Sequence, residues 1–352
     1  MNTNAIQWRK ELWSTPLRAM STLALIALLA WLAWHAFDWA VLRAVFRADA
    51  DACRASEHGG ACWGVIAEKW RPILFGRYPY EDQWRPAIAV SLLAATTMLS
   101  AWPGAWRPGL LVWWVFVLAL FVTLMRGGLF GLAYVPTNRW GGLPLTIGLA
   151  VVSLALAFPL ALLLALGRRS GWPAVRTLCA TYIELVRGVP LISVLFMASF
   201  LLPLLWPAGW QPDVLVRVLA GLMLFVAAYL AEIVRGGLQA VPRGQTEVAM
   251  ALGFGRWPVQ RDIVLPQALR MVVPSLMNSV IGTLKDTSLV TVVGLFELTG
   301  ALGLALGGDP TWRPFYLEGY LFIALVYWVL CFGLSRYSAW LERRLSTGYR
   351  EI

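Results

Sequence analysis

The chain has 352 residues, of which 59% are hydrophobic and only 14% charged, against about a quarter charged in an ordinary soluble protein. With a mean hydropathy of +0.66, this composition excludes a water-soluble globule, because the apolar surface exceeds what one fold can bury. The net charge of +10 does not gather into one patch, which argues against a nucleic-acid partner; the basic residues sit in short segments between apolar runs, as in a polytopic membrane protein.

A helix crosses a hydrocarbon core of about 30 Å with about 20 mostly apolar residues. About eight segments qualify on that measure: Met20–Val41, Ala87–Trp102, Leu110–Met125, Gly142–Leu166, Cys179–Trp206, Val214–Val234, Met271–Leu298 and Tyr316–Trp340. The expected fold class is all-α, a polytopic transmembrane helix bundle in the lipid bilayer. Arg9, Lys10 and Arg18 precede the first run as they would in a signal peptide. The run is long for that role, however, and no small-residue cleavage site follows, so it reads as an uncleaved anchor.

The stretch from Leu42 to Pro86 is a long polar loop mixing acids and bases. It contains Cys53 and Cys62, a candidate disulfide pair if the loop faces an oxidising compartment. His35 and His58 are the only histidines and no ligand spacing accompanies them, so no metal site is expected. The second and third segments are short and predict a hairpin or tilted pair. Pro159, Pro190, Pro203 and Pro274 lie in or beside later spans, where proline marks either kinks near a path or simple scaffold bends.

Positive residues in short loops set orientation. With this span order, Arg107, then Arg168, Arg169 and Arg176, then Arg235 through Arg270, then Arg343, Arg344 and Arg350 share one side with the N-terminal basic residues. Both termini are therefore expected in the cytoplasm. Residues 42–86 and the loops near 126–140, 207–213 and 300–315 would face outward. The chain divides into an N-terminal part, 1–135, with three spans and the polar loop, and a C-terminal part, 136–352.

Ionisable residues at membrane depth concentrate in the C-terminal part. Glu184 and Arg187 lie three apart, as do Glu232 and Arg235, a spacing that allows pairing within one helix. Lys285, Asp286, Thr287 and Ser288 interrupt an apolar run. Such groups either neutralise one another and hold helices together or line a polar path. Lys285 is one of very few lysines, beside Lys10 and Lys69. With Asp286 and the hydroxyls it either lines such a path or forms a defined polar site.

Between the sixth and seventh spans, residues 236–270 are more than a connector. A short helix beginning at Gln245 or Thr246 would carry Glu247 in its positive first turn. Gly253 would end it in the left-handed region, with Pro258 and Pro266 fixing the returning chain. An amphipathic connector lying on the membrane surface is the plainer alternative. The run Glu247-Val248-Ala249-x-x-x-Gly253, followed after nine residues by Ile263-x-Leu265-Pro266, resembles the EAA coupling loop of ABC importer permeases, departing from that pattern only at Val248. Thr181–Pro190, Ala228–Gly237 and Lys285–Leu289 resemble the polar amino-acid branch of the family, and the resemblance runs from about Thr146 to the C-terminus. The three added spans and the long first loop are similar to the larger subunit of the general L-amino-acid importers.

That resemblance implies a permease core in the C-terminal part, in a bacterial inner membrane, coupled to a dimer of ATP-binding subunits through Glu247, Ala249, Gly253, Ile263, Leu265 and Pro266. It also implies a periplasmic amino-acid-binding protein, a second permease subunit (a relative or a second copy) and alternating access around a path lined by Glu184, Arg187, Glu232, Arg235 and Lys285 to Ser288. No Gly-Lys dipeptide occurs, so the chain lacks a P-loop; it is expected to be no enzyme, with ATP and Mg2+ held by the partner. An ion-coupled secondary transporter of small polar solutes and a non-transporting scaffold are the alternatives.

Overall fold

The computed structural model describes residues 12–55, 59–207 and 211–346. Arg9, Lys10, His58 and Arg350 lie outside them. Among the described residues the chain is helical, with β-structure limited to isolated bridges such as Val45 with Cys62. It forms two compact units, Met1–Trp70 with Asp309–Gly319, and Arg71–Gly308 with Tyr320–Ile352.

The first unit begins with α1 (Pro16–Phe37), which Thr15 caps by accepting the Arg18 N–H at 3.3 Å. None of its residues is buried, and Leu23, Trp31 and Trp34 are all more than half exposed. A helix apolar on every side is stable only in lipid or against a partner. The polar stretch after it is folded rather than a plain loop. It holds α2 (Ala50–Arg54), whose first N–H groups bond Asp49, and most of α3 (Gly64–Phe75). Cys53 and Cys62 are joined, with Cα atoms 5.5 Å apart. The Cys62 N–H donates to buried Glu318 at 2.9 Å, and Lys69 lies 2.7 Å from Asp309. The hydrogen bond from Lys69 holds the Asp309 carboxyl below the usual carboxylate range.

The second unit opens with an antiparallel pair, α4 (Trp84–Ser100) and α5 (Gly109–Arg126). At 17 residues, α4 rises only about 25 Å, which explains the weak second segment in the sequence. Its anchor is Arg85, fully buried, which donates from Nε to the Leu124 carbonyl and from Nη1 to the Ala133 carbonyl, each at 2.9 Å. Tyr78 donates to the carbonyls of Leu124 and Met125, and burial pushes its phenol up to about 12. The free carbonyls at the end of α5 thus find donors from Tyr78, before α4, and from Arg85 in its first turn. Arg85→Ala should destabilise the protein by about 3–5 kcal/mol, since it empties a buried site and strands two carbonyls. Arg85→Lys should not restore it, because a single ammonium lacks the planar fork. Thermal unfolding in detergent measures both.

The centre of this unit is α6 (Gly142–Arg168) against α9 (Val214–Ala240). Ala157, Ala161 and Ala165 recur every four residues on α6 and are fully buried, as are Ala227, Ala231 and Val234 on α9. Small side chains let the backbones approach closely, which drives helix pairing in a membrane where apolar burial alone does not.

The span expected at Cys179–Trp206 is not one continuous helix. It is two helices, α7 (Pro173–Gly188) and α8 (Leu191–Phe196, prolonged to Leu205), bent by 106°. Val189 is extended and Pro190 has no N–H to donate, so the helix cannot continue through them. The remaining elements are α10 (Arg243–Ala251), α11 (Leu265–Asp286), α12 (Leu298–Gly307) and α13 (Tyr316–Ser346). Among the described residues six helices are long and apolar enough to cross a membrane, or seven if the bent pair is one span. The short α4 and the bent pair account for the difference from the sequence estimate. Leu298, expected to end the seventh span, instead begins the separate helix α12 after a break at left-handed Gly294.

Candidate functional site

The segment joining α9 to α11 carries the sharpest local signals. Val241 packs inward and Pro242 starts α10. The helix therefore begins at Arg243, earlier than Gln245 or Thr246, and Glu247 lies beyond its first turn. Its end is fixed by two backbone bonds, Phe254 N–H to the Ala249 carbonyl at 3.1 Å and Gly253 N–H to the Met250 carbonyl at 3.0 Å. These are the two bonds of a Schellman motif, which requires a left-handed residue, and Gly253 has φ +89°.

The returning chain is helical rather than a loop. Arg256–Pro258 and a π-helical turn, Val259–Val264, run directly into α11. Pro258 sits in a first turn, where no N–H is needed. Pro266 follows the π-helical turn at the start of α11.

Ala249 is 4% exposed and packs with Val259, Val264, Ala268, Leu238 and Ala165. Ile263 and Leu265 are half-buried against the same cluster, and Pro266 is exposed. The structure thus brings Ala249, Ile263 and Leu265 around one small core, while Glu247, Gly253 and Pro266 lie on the surface. The other face of α10 is apolar and open. Val248 and Leu252 are 62% and 73% exposed, and Met250, Phe254 and Trp257 are also exposed. An apolar knob standing on a packed base has the shape that a partner's groove can receive.

Beside it, charged residues of α6, α7 and α9 form one network. Glu232 accepts from Arg235 on its own helix and from Arg168 at 3.2 Å, with Arg187 at 3.9 Å. Glu184 pairs with Arg168 at 2.8 Å, not with Arg187 as its spacing suggested. Arg168 bridges three helices and was legible in the sequence only as a loop charge. Glu232→Ala leaves three guanidinium groups facing one another. It should cost about 1–3 kcal/mol, less than a fully buried pair because the site is partly solvated. Glu184→Ala, at a far more exposed carboxylate, should cost under about 1 kcal/mol. Paired unfolding curves test the ranking.

Lys285 and Asp286 end α11. Lys285 is exposed and Asp286 half-buried, with no ion pair between them. Thr287 is buried and donates to the Leu284 carbonyl at 2.7 Å, and Ser288 is half-buried. Among the described residues no cluster able to hold a metal ion occurs.

Residues 157–347 match the family described as binding-protein-dependent transport system inner membrane component. The chain belongs to this family. It is 43% identical to the inner membrane amino-acid ABC transporter permease protein YhdY of Escherichia coli (strain K12), over 99% of this chain and 95% of that one. It is 35% identical to the glutamate/glutamine/aspartate/asparagine transport system permease protein BztC of Rhodobacter capsulatus, over 98% and 95%. Among solved structures, an amino acid ABC transporter with histidines aligns at a TM-score of 0.51 and 31% identity, covering 56% of this chain and 90% of that one. The knob of α10 lies within the matched family region. As a binding-protein-dependent permease, this multi-pass chain is a membrane subunit of a transport system.

Proposed function

We propose that the chain is the pore-forming permease subunit of an ATP-driven importer of polar amino acids in a bacterial inner membrane, with both termini cytoplasmic. The observation that carries this is α10, whose Schellman cap and Ala249 core hold an apolar knob, Val248 to Trp257, outside the bundle. A dimer of ATP-binding subunits would receive that knob and bind ATP and Mg2+, for which this chain has no P-loop. Closing of the ATPases moves α10, and its different contacts in the open and closed states transmit the work. The helices then expose the path alternately to either side.

The permease core is residues 136–352, and a second permease, related or identical, completes the pore. A periplasmic binding protein delivers the amino acid. Glutamate, glutamine, aspartate and asparagine, named for one relative, are the first substrates to try. The path is lined by Lys285, Asp286, Thr287 and Ser288. The Glu232 network, with Arg235, Glu184 and Arg187, holds its helices at the ATPase side.

Uptake of labelled amino acids into proteoliposomes holding the complete transporter, with binding protein outside and ATP inside, tests the proposal. Uptake that needs both supports it; uptake that ignores ATP refutes it. In the same assay Lys285→Met should lower uptake at least tenfold while inserting normally, the loss of one charge-assisted contact of about 1.5–3 kcal/mol. Undiminished uptake removes Lys285 from the path.

A further inference from the structure

Glu297 is fully buried and has no ion pair among the described residues. Its carboxyl oxygens are met by neutral partners alone. Oε1 accepts from the N–H groups of Thr299 at 2.8 Å and Gly300 at 3.1 Å, and from the Thr291 hydroxyl at 3.2 Å. Oε2 accepts from Tyr327 at 2.8 Å and Thr146 at 3.2 Å. These donors come from α6, the 3-10 turn after α11, the first turn of α12, and α13. The backbone stitches the same place, with Gly142 N–H to the Phe296 carbonyl and Leu298 N–H to Thr146 Oγ1, both at 3.0 Å.

A buried carboxyl group is tolerable only while its hydrogen-bond partners stay in place. The elements that supply those donors therefore cannot separate independently. Thr291 belongs to the 3-10 turn Thr287–Val293, which begins two residues after Lys285.

We propose that Glu297 is a positioning residue for transport, locking the start of α6, the turn at Thr291–Gly300 and α13 into one block that fixes Thr287 and the adjoining Lys285–Asp286 in the path. This rests on the importer assignment above. Glu297 acts on the substrate route through Thr291 and the turn that begins at Thr287, with Tyr327 holding the carboxyl from α13, and touches no substrate itself. It governs how fast the path reorganises, not how tightly the loaded binding protein docks.

The experiment is ATP-driven uptake by the complete transporter in proteoliposomes, with Glu297→Gln, Tyr327→Phe and the double variant. The expected result is a maximum uptake rate at least tenfold lower in Glu297→Gln, at a half-saturating concentration within threefold of wild type and with the complex recovered at wild-type yield. Tyr327→Phe should be slowed in the same way, and the double variant should be no slower than Glu297→Gln. Glu297→Gln transporting at the wild-type rate overturns the proposal, as do losses that multiply in the double variant. A Glu297→Gln chain that fails to assemble, beside a Tyr327→Phe chain of full rate, also overturns it, since the carboxylate then serves folding alone. If the wild-type transporter moves no amino acid, the importer assignment itself fails, and this proposal falls with it.

Discussion

Gly253→Val should abolish productive coupling, with ATP-driven uptake falling at least tenfold, while Gly253→Asn keeps most of it. The reason lies in the backbone. At φ +89° a β-branched residue is strained, and strain of about 1–3 kcal/mol is enough to move a population tenfold or more, since each 1.4 kcal/mol is a factor of ten. No atom lies within 4 Å of where a Cβ at Gly253 would stand, so bulk is not the obstacle. Asparagine adopts left-handed conformations more readily than other non-glycine residues and should preserve the two bonds that close α10. Equal uptake by the two variants would show that the cap is not needed. Folding and insertion, followed by the yield of monodisperse protein, should be unaffected in both.

Leu252→Glu should separate docking from folding. Its side chain is 73% exposed, so the chain's own stability should change by no more than about 0.5 kcal/mol. The same side chain lies at the crown of the apolar knob. A central interface residue is worth about 2 kcal/mol or more, and a buried unpaired carboxylate adds a penalty of its own. Association with the ATPase should weaken at least thirtyfold, about 2 kcal/mol. Ala249→Leu is the converse case. Ala249 faces inward at 4% exposure, so overpacking there disturbs the base of the knob at a cost of about 1–3 kcal/mol. Titration of the ATPase against each variant in detergent distinguishes a lost surface from a lost support.

The membrane class and most spans were legible because apolar runs and their lengths are local properties. Gly253 was legible for the same reason, since a helix end that needs a left-handed residue announces itself by glycine. The start of α10 was misplaced by favouring polar caps, whereas Pro242 fixed the entry. Pro258 and Pro266 were read as punctuation, yet a helix admits proline in its first turn. Pro190 was recognised as a kink, but the 106° bend depends on Val189 being extended as well.

The charged sites were less legible because their partners are distant in sequence. Glu184 chose Arg168 on another helix over its neighbour Arg187. Arg85 reads as a loop arginine until the carbonyls of Leu124 and Ala133 are placed around it. Glu297 resembles an ordinary helix cap, and only the folding of Thr146 and Tyr327 onto it reveals a buried carboxyl.

The most direct test of the central claim is to purify the tagged wild-type chain in mild detergent and identify what remains bound. An ATP-binding subunit in near-equal amount, released when Leu252 is changed to Glu, is the predicted result. A folded chain that carries no ATPase under conditions preserving such complexes, with uptake driven by an ion gradient in ATP-free vesicles, would contradict it and make the chain an ion-coupled carrier.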